Sequence, residues 1–403
     1  MVAQNKKENI LIIGGGFSGI KAAQTLAKYS KYFNITLVSD SDNFRYYPTL
    51  FHLATGGDNK FSSIPLSEIF NNTSVKVIIG TADILDRNNK SITLTDKTVL
   101  GYDKLLLGLG VITNYFDIEG LEQYSYSIKT EARAKEFNKF LHDYIKNNKA
   151  PDSNYVVVGG GPTGIELAAQ LPSYIRHLLQ THDIHHKAIH VELIEALPKL
   201  LPRLPKDYSK IISHRLNNLG VSLRLASAVT AQTNDSIIIN NETVFSKTVI
   251  WTAGVTNHPF YNTNNFSMTK HNKVSVDIYL QAEDSIYVMG DNANTPNSGL
   301  AQTALHDGYF ISKNLIRIAK NETPLSYKPK KIITIIPVGK HWAAVLVNKI
   351  KLYGLTGAAL RHMADIEGYH SVLSWRQTIK LLLPNFKKMS GKCPYCDETI
   401  NNS

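Results

Sequence analysis

The stretch Tyr155-Val156-Val157-Val158-Gly159-Gly160-Gly161-Pro162-Thr163-Gly164-Ile165-Glu166-Leu167-Ala168-Ala169 decides the fold. Three valines run into glycines at Gly159, Gly161 and Gly164, and helix-forming residues follow. That order predicts the strand, tight turn and helix start of a dinucleotide-binding unit. The first glycine permits the turn, the second lets backbone N–H groups approach a pyrophosphate, and the third lets helix and strand pack closely. Pro162 and Thr163 stand at the helix N-terminus, whose positive dipole end faces the phosphates. Further on, Val191 to Ile194 predicts the next strand, with the Glu195 carboxylate at its end. A carboxylate there accepts hydrogen bonds from a ribose 2′-OH and repels a 2′-phosphate, which favours NAD over NADP.

The same pattern occurs near the N-terminus. Ile10 to Ile13 leads into Gly14, Gly16 and Gly19, with Phe17 and Ser18 opening a helix expected over Ile20 to Tyr29. A second strand, Ile35 to Val38, ends before Ser39 and Asp40. Either residue can face an adenine ribose; Asp40 is the choice, because a carboxylate binds a diol bidentately. Two such units predict an α/β protein with two Rossmann-like domains. The two nucleotides would lie face to face, one a resident flavin and one a visitor.

The totals fit that picture. At 403 residues the chain has room for two to three domains. Its apolar fraction of 43% is that of a soluble globular protein. No apolar run reaches the ~18 residues of a bilayer span, and no signal peptide is expected. The only cysteines are Cys393 and Cys396, so no disulfide framework is expected. The net charge is +11, and residues 321–403 hold 12 Lys and Arg against 5 Asp and Glu. Such a basic end suits nucleic acid, anionic lipid or an acidic partner, or simply reflects a basic proteome.

In chain order, residues 43–57 are aromatic, with Pro48 among them; they either wall a flat ring or form a packed loop. Val75 to Ile79, Ser91 to Leu94 and Lys104 to Leu107 predict a small meander. Helices are expected over Thr130 to Asn147 and Tyr208 to Leu219, the latter stopped by Gly220. Gly290-Asp291 is a sugar-chain grip or a plain turn, just ahead of a helix from Ala301 to about Lys320. In His370 to Phe386, Val372, Trp375, Ile379, Leu382 and Leu383 share a helical face flanked by basic residues. That helix would lie in a membrane interface or dock on the protein's own core.

Taken together, these motifs resemble the type II NADH:quinone oxidoreductases. The resemblance rests on the two glycine turns, on Gly161 to Ala168, and on Glu195 to Arg203. It also rests on Thr113 to Phe116, Trp251 to Val255 with Gly254, and Gly290 to Ala293. It implies an FAD-dependent enzyme that passes hydride from NADH to flavin and two electrons on to a quinone. FAD would be held by Gly14, Gly16, Phe17, Ser18, Gly19, Asp40, Pro48, Asp291, Ala301 and Gln302. NADH would be held by Gly159, Gly161, Pro162, Thr163, Gly164, Glu166, Glu195 and Gly254. Glu166, Gln302 and His306 are the candidate catalytic residues. The family's quinone-side motif continues with two glutamines where this chain has His306 and Asp307. His306 would donate a proton to the quinone, or merely pack on its helix. The implied domains are FAD-binding over 1–116 and 284–325, NAD-binding over 117–283, and a membrane- or dimer-associating region over 326–403.

The resemblance implies a homodimer, cytoplasmic and peripheral on the inner face of the cell membrane. A ferredoxin-type reductase and a flavin-bound sensor without turnover are the rivals. Disulfide and sulfide:quinone reductases need cysteines beside the flavin, and residues 1–392 have none. No metal and no nucleic acid are expected. Cys393-Pro394-Tyr395-Cys396 has dithiol spacing, and a zinc site there would need two more ligands, as from a second chain. His182, His185, His186 and His190 are expected to form a solvated connection.

Overall fold

The computed structural model describes residues 7–148, 153–185, 188–382 and 394–396. Expectations that fall on His186, Leu383, Phe386 or Cys393 lie outside the described residues.

Strand β1 (Glu8–Ile13) feeds helix α1 (Phe17–Ala27), and the chain returns as β2 (Phe33–Ser39). Strands β3 (Val75–Ile79) and β4 (Lys104–Leu107) flank this pair, all four running parallel. Ile10 to Ile13 are buried on both sheet faces, as expected of a central parallel strand covered on both sides. The expected meander is therefore corrected. Its first and last segments belong to the parallel sheet, and the antiparallel element is Ala82–Asp86, Ser91–Leu94 and Val99–Gly101. All these segments are short, so sequence periodicity could not tell which strand pairs with which.

The second unit repeats the plan. Strand β5 (Tyr126–Ser127) precedes helix α2 (Glu131–Asn147), whose Thr130 cap accepts the Arg133 N–H at 3.3 Å. Then come β6 (Asn154–Val158), helix α3 (Pro162–Thr181), β7 (His190–Ile194), helix α4 (Lys206–Asn218), β8 (Val221–Arg224) and β9 (Thr248–Trp251). Their sheet order is β5-β9-β6-β7-β8, parallel throughout. The chain re-enters the first sheet through β10 (Gln281–Glu283) and β11 (Ile286–Val288), completing the order β10-β11-β4-β1-β2-β3. Helix α5 (Ala301–Ala319) then packs on α1, where a Cβ on Gly308 would fall 2.2 Å from the Ser18 carbonyl oxygen.

The C-terminal portion ties the two units together. Strands β12 (Ile333–Pro337), β13 (Ala343–Val347) and β14 (Ile350–Gly354) form an antiparallel sheet. It sits on the second unit through Tyr208, whose hydroxyl donates to the Ala344 carbonyl at 2.7 Å. Helix α6 (Leu355–His370) reaches the first unit, with the Tyr369 hydroxyl donating to the Phe61 carbonyl at 2.7 Å. Helix α7 (Trp375–Leu382) follows. Its apolar residues do not share one environment: Leu382 is buried, whereas Trp375 and Ile379 are exposed. No helix among the described residues is long and apolar enough to cross a membrane.

Candidate cofactor and substrate site

The two glycine turns have nearly the same geometry. Gly14 has φ +114° and Gly159 φ +117°, values that L side chains rarely adopt. A Cβ on Gly19 would fall 1.9 Å from the Gly14 carbonyl oxygen, and one on Gly164 the same 1.9 Å from that of Gly159. At Gly16 and Gly161 an added Cβ would meet nothing within 4 Å, so the backbone there is open to a ligand. These two glycines cap α1 and α3 without any side-chain hydrogen bond. The first-turn N–H groups of both helices are thereby directed at whatever anion enters. Phe17 and Ser18 open α1 and are buried; Pro162 and Thr163 open α3 and are exposed. Both cradles fit a dinucleotide pyrophosphate.

A cleft of about 380 Å³ leads from Gly14 past Asp40, Arg45 and Tyr47 to Lys129. Asp40 lines it, with its carboxylate 3.0 Å from Arg45. Ser39 is only 2% exposed, its Oγ tucked beneath Gly15 and accepting the Ser41 N–H at 3.3 Å. Of the two, Asp40 is the one that faces the cleft. Lys129 lies over the Tyr47 ring at 4.8 Å. Burial lowers the pKa of both Lys129 and Lys273, and the nearby Asp291 opposes the shift in each. Lys273 also donates its ammonium to the Asp291 carbonyl. The Gly290–Asn292 segment is a single helical turn. It is fixed from α5: the Asp307 carboxylate accepts the Gly290 N–H at 3.0 Å and the Tyr327 hydroxyl at 2.7 Å. Burial pushes the Asp307 carboxyl up to about 6, with those two hydrogen bonds opposing. Asp307 thus anchors the turn that carries Asp291.

Glu166, the acid of α3, is buried. Burial raises its carboxyl to about 8, although the Arg361 guanidinium, 3.8 Å away, works against the rise. Arg361 comes from α6. It donates to Asp365 at 2.9 Å and to the Pro48 carbonyl at 3.0 Å. Burial disfavours its charge, but Asp365 and Glu166 outweigh that and raise its pKa. Tyr46, beside Pro48, stacks on Tyr369 with ring centroids 4.2 Å apart. Burial first, then Asp365, raises its phenol pKa. One arginine therefore joins the aromatic segment of the first unit, the α3 acid of the second and the C-terminal helix.

The other expected residues lie as follows. Ala301 and Gln302 are half-buried in the first turn of α5. The Gln302 amide is paired with the main chain of β12, donating to the Ile333 carbonyl at 2.7 Å and accepting its N–H at 3.2 Å. His306 packs against Tyr327, and its Nε2 donates to the Lys328 carbonyl at 2.9 Å. In the second unit, Glu195 accepts the Gly160 N–H at 2.7 Å and the Leu197 N–H at 2.8 Å, closing the turn at the end of β7. Gly254 lies against the Phe116 ring, 2.5 Å from where its Cβ would be. Arg361, Asp365, Lys129 and Lys273 were not singled out from the sequence, and Arg45 and Tyr46 only as part of the aromatic segment 43–57. Arg361 entered the sequence reading only as one of the 12 Lys and Arg of residues 321–403, and nothing local marked it among so many cations.

With this geometry in place, comparison with known proteins places the chain. Residues 8–308 match the pattern of the family described as pyridine nucleotide-disulphide oxidoreductase. The chain belongs to the pyridine nucleotide-disulphide oxidoreductase family. Within that family, it is 23% identical to the type II NADH:quinone oxidoreductase of Staphylococcus epidermidis strain ATCC 12228, over 92% of this chain and 97% of that one. It is also 23% identical to the corresponding Staphylococcus aureus MSSA476 protein, over 90% and 95%. Among solved family folds, NDH2 from Plasmodium falciparum in complex with NADH superposes with a TM-score of 0.84 at 18% identity, covering 95% of this chain and 98% of that one. Sulfide:quinone oxidoreductase from Aquifex aeolicus superposes at 0.76 with 19% identity, covering 94% and 96%. The matched residues 8–308 include both glycine turns, Glu195, Asp291 and Glu166; Arg361 lies beyond them.

Proposed function

We propose that this chain is an FAD-dependent NADH:quinone oxidoreductase of the type II class. One observation carries the reading: two matched pyrophosphate cradles, with the buried Glu166–Arg361 pair between them and the C-terminal helix. When bound, the flavin supplies the hydride acceptor and the two-electron donor. The chain's own residues do the rest. The first turns of α1 and α3 receive the two pyrophosphates, and Asp40 and Glu195 accept from the two adenosine riboses. Asp291, held in place by Asp307, faces the sugar-alcohol chain of FAD, while Lys129 adds a positive charge in the same cleft.

A quinone that gains two electrons also needs two protons. Glu166 is the group best suited to hold one of them, because its carboxyl stays protonated at neutral pH. The Arg361 guanidinium steadies it when that proton leaves, 3.8 Å away. His306 contributes less in this reading, since its Nε2 is already bonded to the Lys328 carbonyl.

The exposed Leu355, Met363, Trp375 and Ile379, with Arg376 and Lys380 beside them, support peripheral attachment to the cytoplasmic face of the cell membrane. The same C-terminal region is where we expect two copies to pair. Steady-state assays test the activity. NADH oxidation should depend on an added short-chain quinone; turnover with a ferredoxin and none with quinones would overturn the proposal.

A further inference from the structure

At the far end of α3, away from both glycine turns, three metal-ligating groups meet. Helix α3 begins at Pro162 and His182 follows its last residue. A helix of that length puts His182 about 30 Å from the cradle. Beside it stand His142 from α2 and Cys396 from the C-terminal tail. One ligand atom from each of the three lies within 4.8 Å of the others. Cys396 Sγ is 3.9 Å from His182 Nε2. Zinc bonds of about 2.3 Å to sulfur and 2.0 Å to nitrogen place such a pair roughly 3.5 Å apart at a tetrahedral angle, so this pair closes onto an ion within a few tenths of an ångström.

A second, independent observation points to a ligand. His142 is 3% exposed, and its Nε2 is a buried atom with no hydrogen-bond partner. Its other ring nitrogen, Nδ1, lies 3.0 Å from the Asp143 carboxylate. A carboxylate only accepts, so Nδ1 carries the hydrogen, and in the neutral form of an imidazole bonded this way the other nitrogen, Nε2, holds a free lone pair. A buried acceptor left this way costs stability of order 1–3 kcal/mol unless something binds it. A histidine with one nitrogen bonded to a carboxylate and the other unpartnered has the arrangement of a metal ligand and its supporting acid.

We propose that His142 Nε2, His182 Nε2 and Cys396 Sγ bind one zinc ion, which fastens the C-terminal tail to helices α2 and α3 of the second dinucleotide unit. The two imidazoles and one thiolate suit zinc better than calcium or magnesium, which take oxygen ligands. Binding would release the Cys396 thiol proton to solvent. The thiolate and the Asp143 carboxylate together balance the ion's two positive charges, which offsets repulsion from Lys146. In the sequence, Cys393 stands at the C-x-x-C spacing at which two cysteines share one zinc. Its position lies outside the described residues. The sequence reading expected no metal and looked to a second chain for further ligands. The fold instead brings two histidines from the same chain to Cys396. Of the four histidines grouped in sequence, only His182 joins a metal-competent cluster among the described residues.

The test uses the full-length flavin-loaded protein, purified without a metal-chelating tag. Elemental analysis should find about one zinc per chain. His142→Ala and Cys396→Ser should each lower it to background while the flavin absorbance stays at one per chain, which shows that the fold is intact. Asp143→Asn should weaken zinc retention against a chelator about ten- to hundredfold. Cobalt exchanged for zinc should give absorption to the red of the flavin bands, lost in Cys396→Ser. Wild-type protein that holds no zinc, and takes up none before desalting, would overturn the proposal. So would a Cys396→Ser variant with full zinc content, or tail cysteines found paired as a metal-free disulfide.

Discussion

Glu166 is the residue whose chemistry depends most on its surroundings. Its carboxyl sits at about 8 in the folded protein against an ordinary 4.5, chiefly because it is buried. Between those pH values the folded chain holds a proton that the unfolded chain has released. The contribution of Glu166 to stability is therefore fully present below about 4.5 and is lost as pH rises through the window to about 8. Glu166→Gln should flatten the fall of Tm between pH 5 and pH 8, measured by differential scanning calorimetry. The same substitution should remove an ionisation near pH 8 from the profile of kcat/KM for quinone and lower turnover at least about tenfold, within the usual range for general acids. An unchanged profile would take Glu166 out of proton transfer. Glu195 tests the other cofactor. Glu195→Arg should shift preference from NADH toward NADPH by about tenfold or more, the scale of a charge-assisted hydrogen bond, read as the ratio of kcat/KM values. Both acids were named from the sequence, Glu195 from its place at the end of the strand after a glycine turn and Glu166 through the family resemblance. Arg361 was not, because it meets Glu166 only after the chain has crossed nearly two hundred residues.

The two turn-and-helix elements give a contrast that sequence motifs alone do not. At Gly19 and Gly164 a methyl group would fall 1.9 Å from a backbone oxygen, which the strand cannot vacate. Gly19→Ala should yield protein that loses flavin on a desalting column. Gly164→Ala should retain flavin but bind NADH at least about tenfold more weakly, measured by titration, since overpacking costs roughly 1–3 kcal/mol or more. Gly16→Ala meets no neighbour and should fold normally, with only cofactor affinity reduced. The turns were readable because glycine spacing encodes the backbone directly. The meander was not, since strands of similar composition differ only in which partner they pair with. Nor was the division of α7, where Trp375 and Ile379 face outward and Leu382 inward. An amphipathic stripe fixes a helix's apolar side but not what covers it.

For the whole molecule, the C-terminal portion decides how the two nucleotide units face each other and what lies beside them. Its sheet sits on the second unit, α6 reaches the first, and Arg361 closes the space between. The exposed Leu355, Met363, Trp375 and Ile379 are the side chains proposed to meet lipid. Trp375→Ser with Ile379→Ser should weaken co-sedimentation with anionic vesicles several-fold, while turnover with a water-soluble quinone stays within about twofold of the parent. Equal loss of both would assign these side chains to folding instead. The whole account rests on electrons passing through a bound flavin from NADH to a quinone. The most direct test is the anaerobic visible spectrum of the purified protein during stepwise additions. Stoichiometric NADH should bleach the flavin band, and a short-chain quinone should then restore it. A protein with no flavin band that takes up no added FAD, or one whose bleached band quinones leave unchanged, would contradict it.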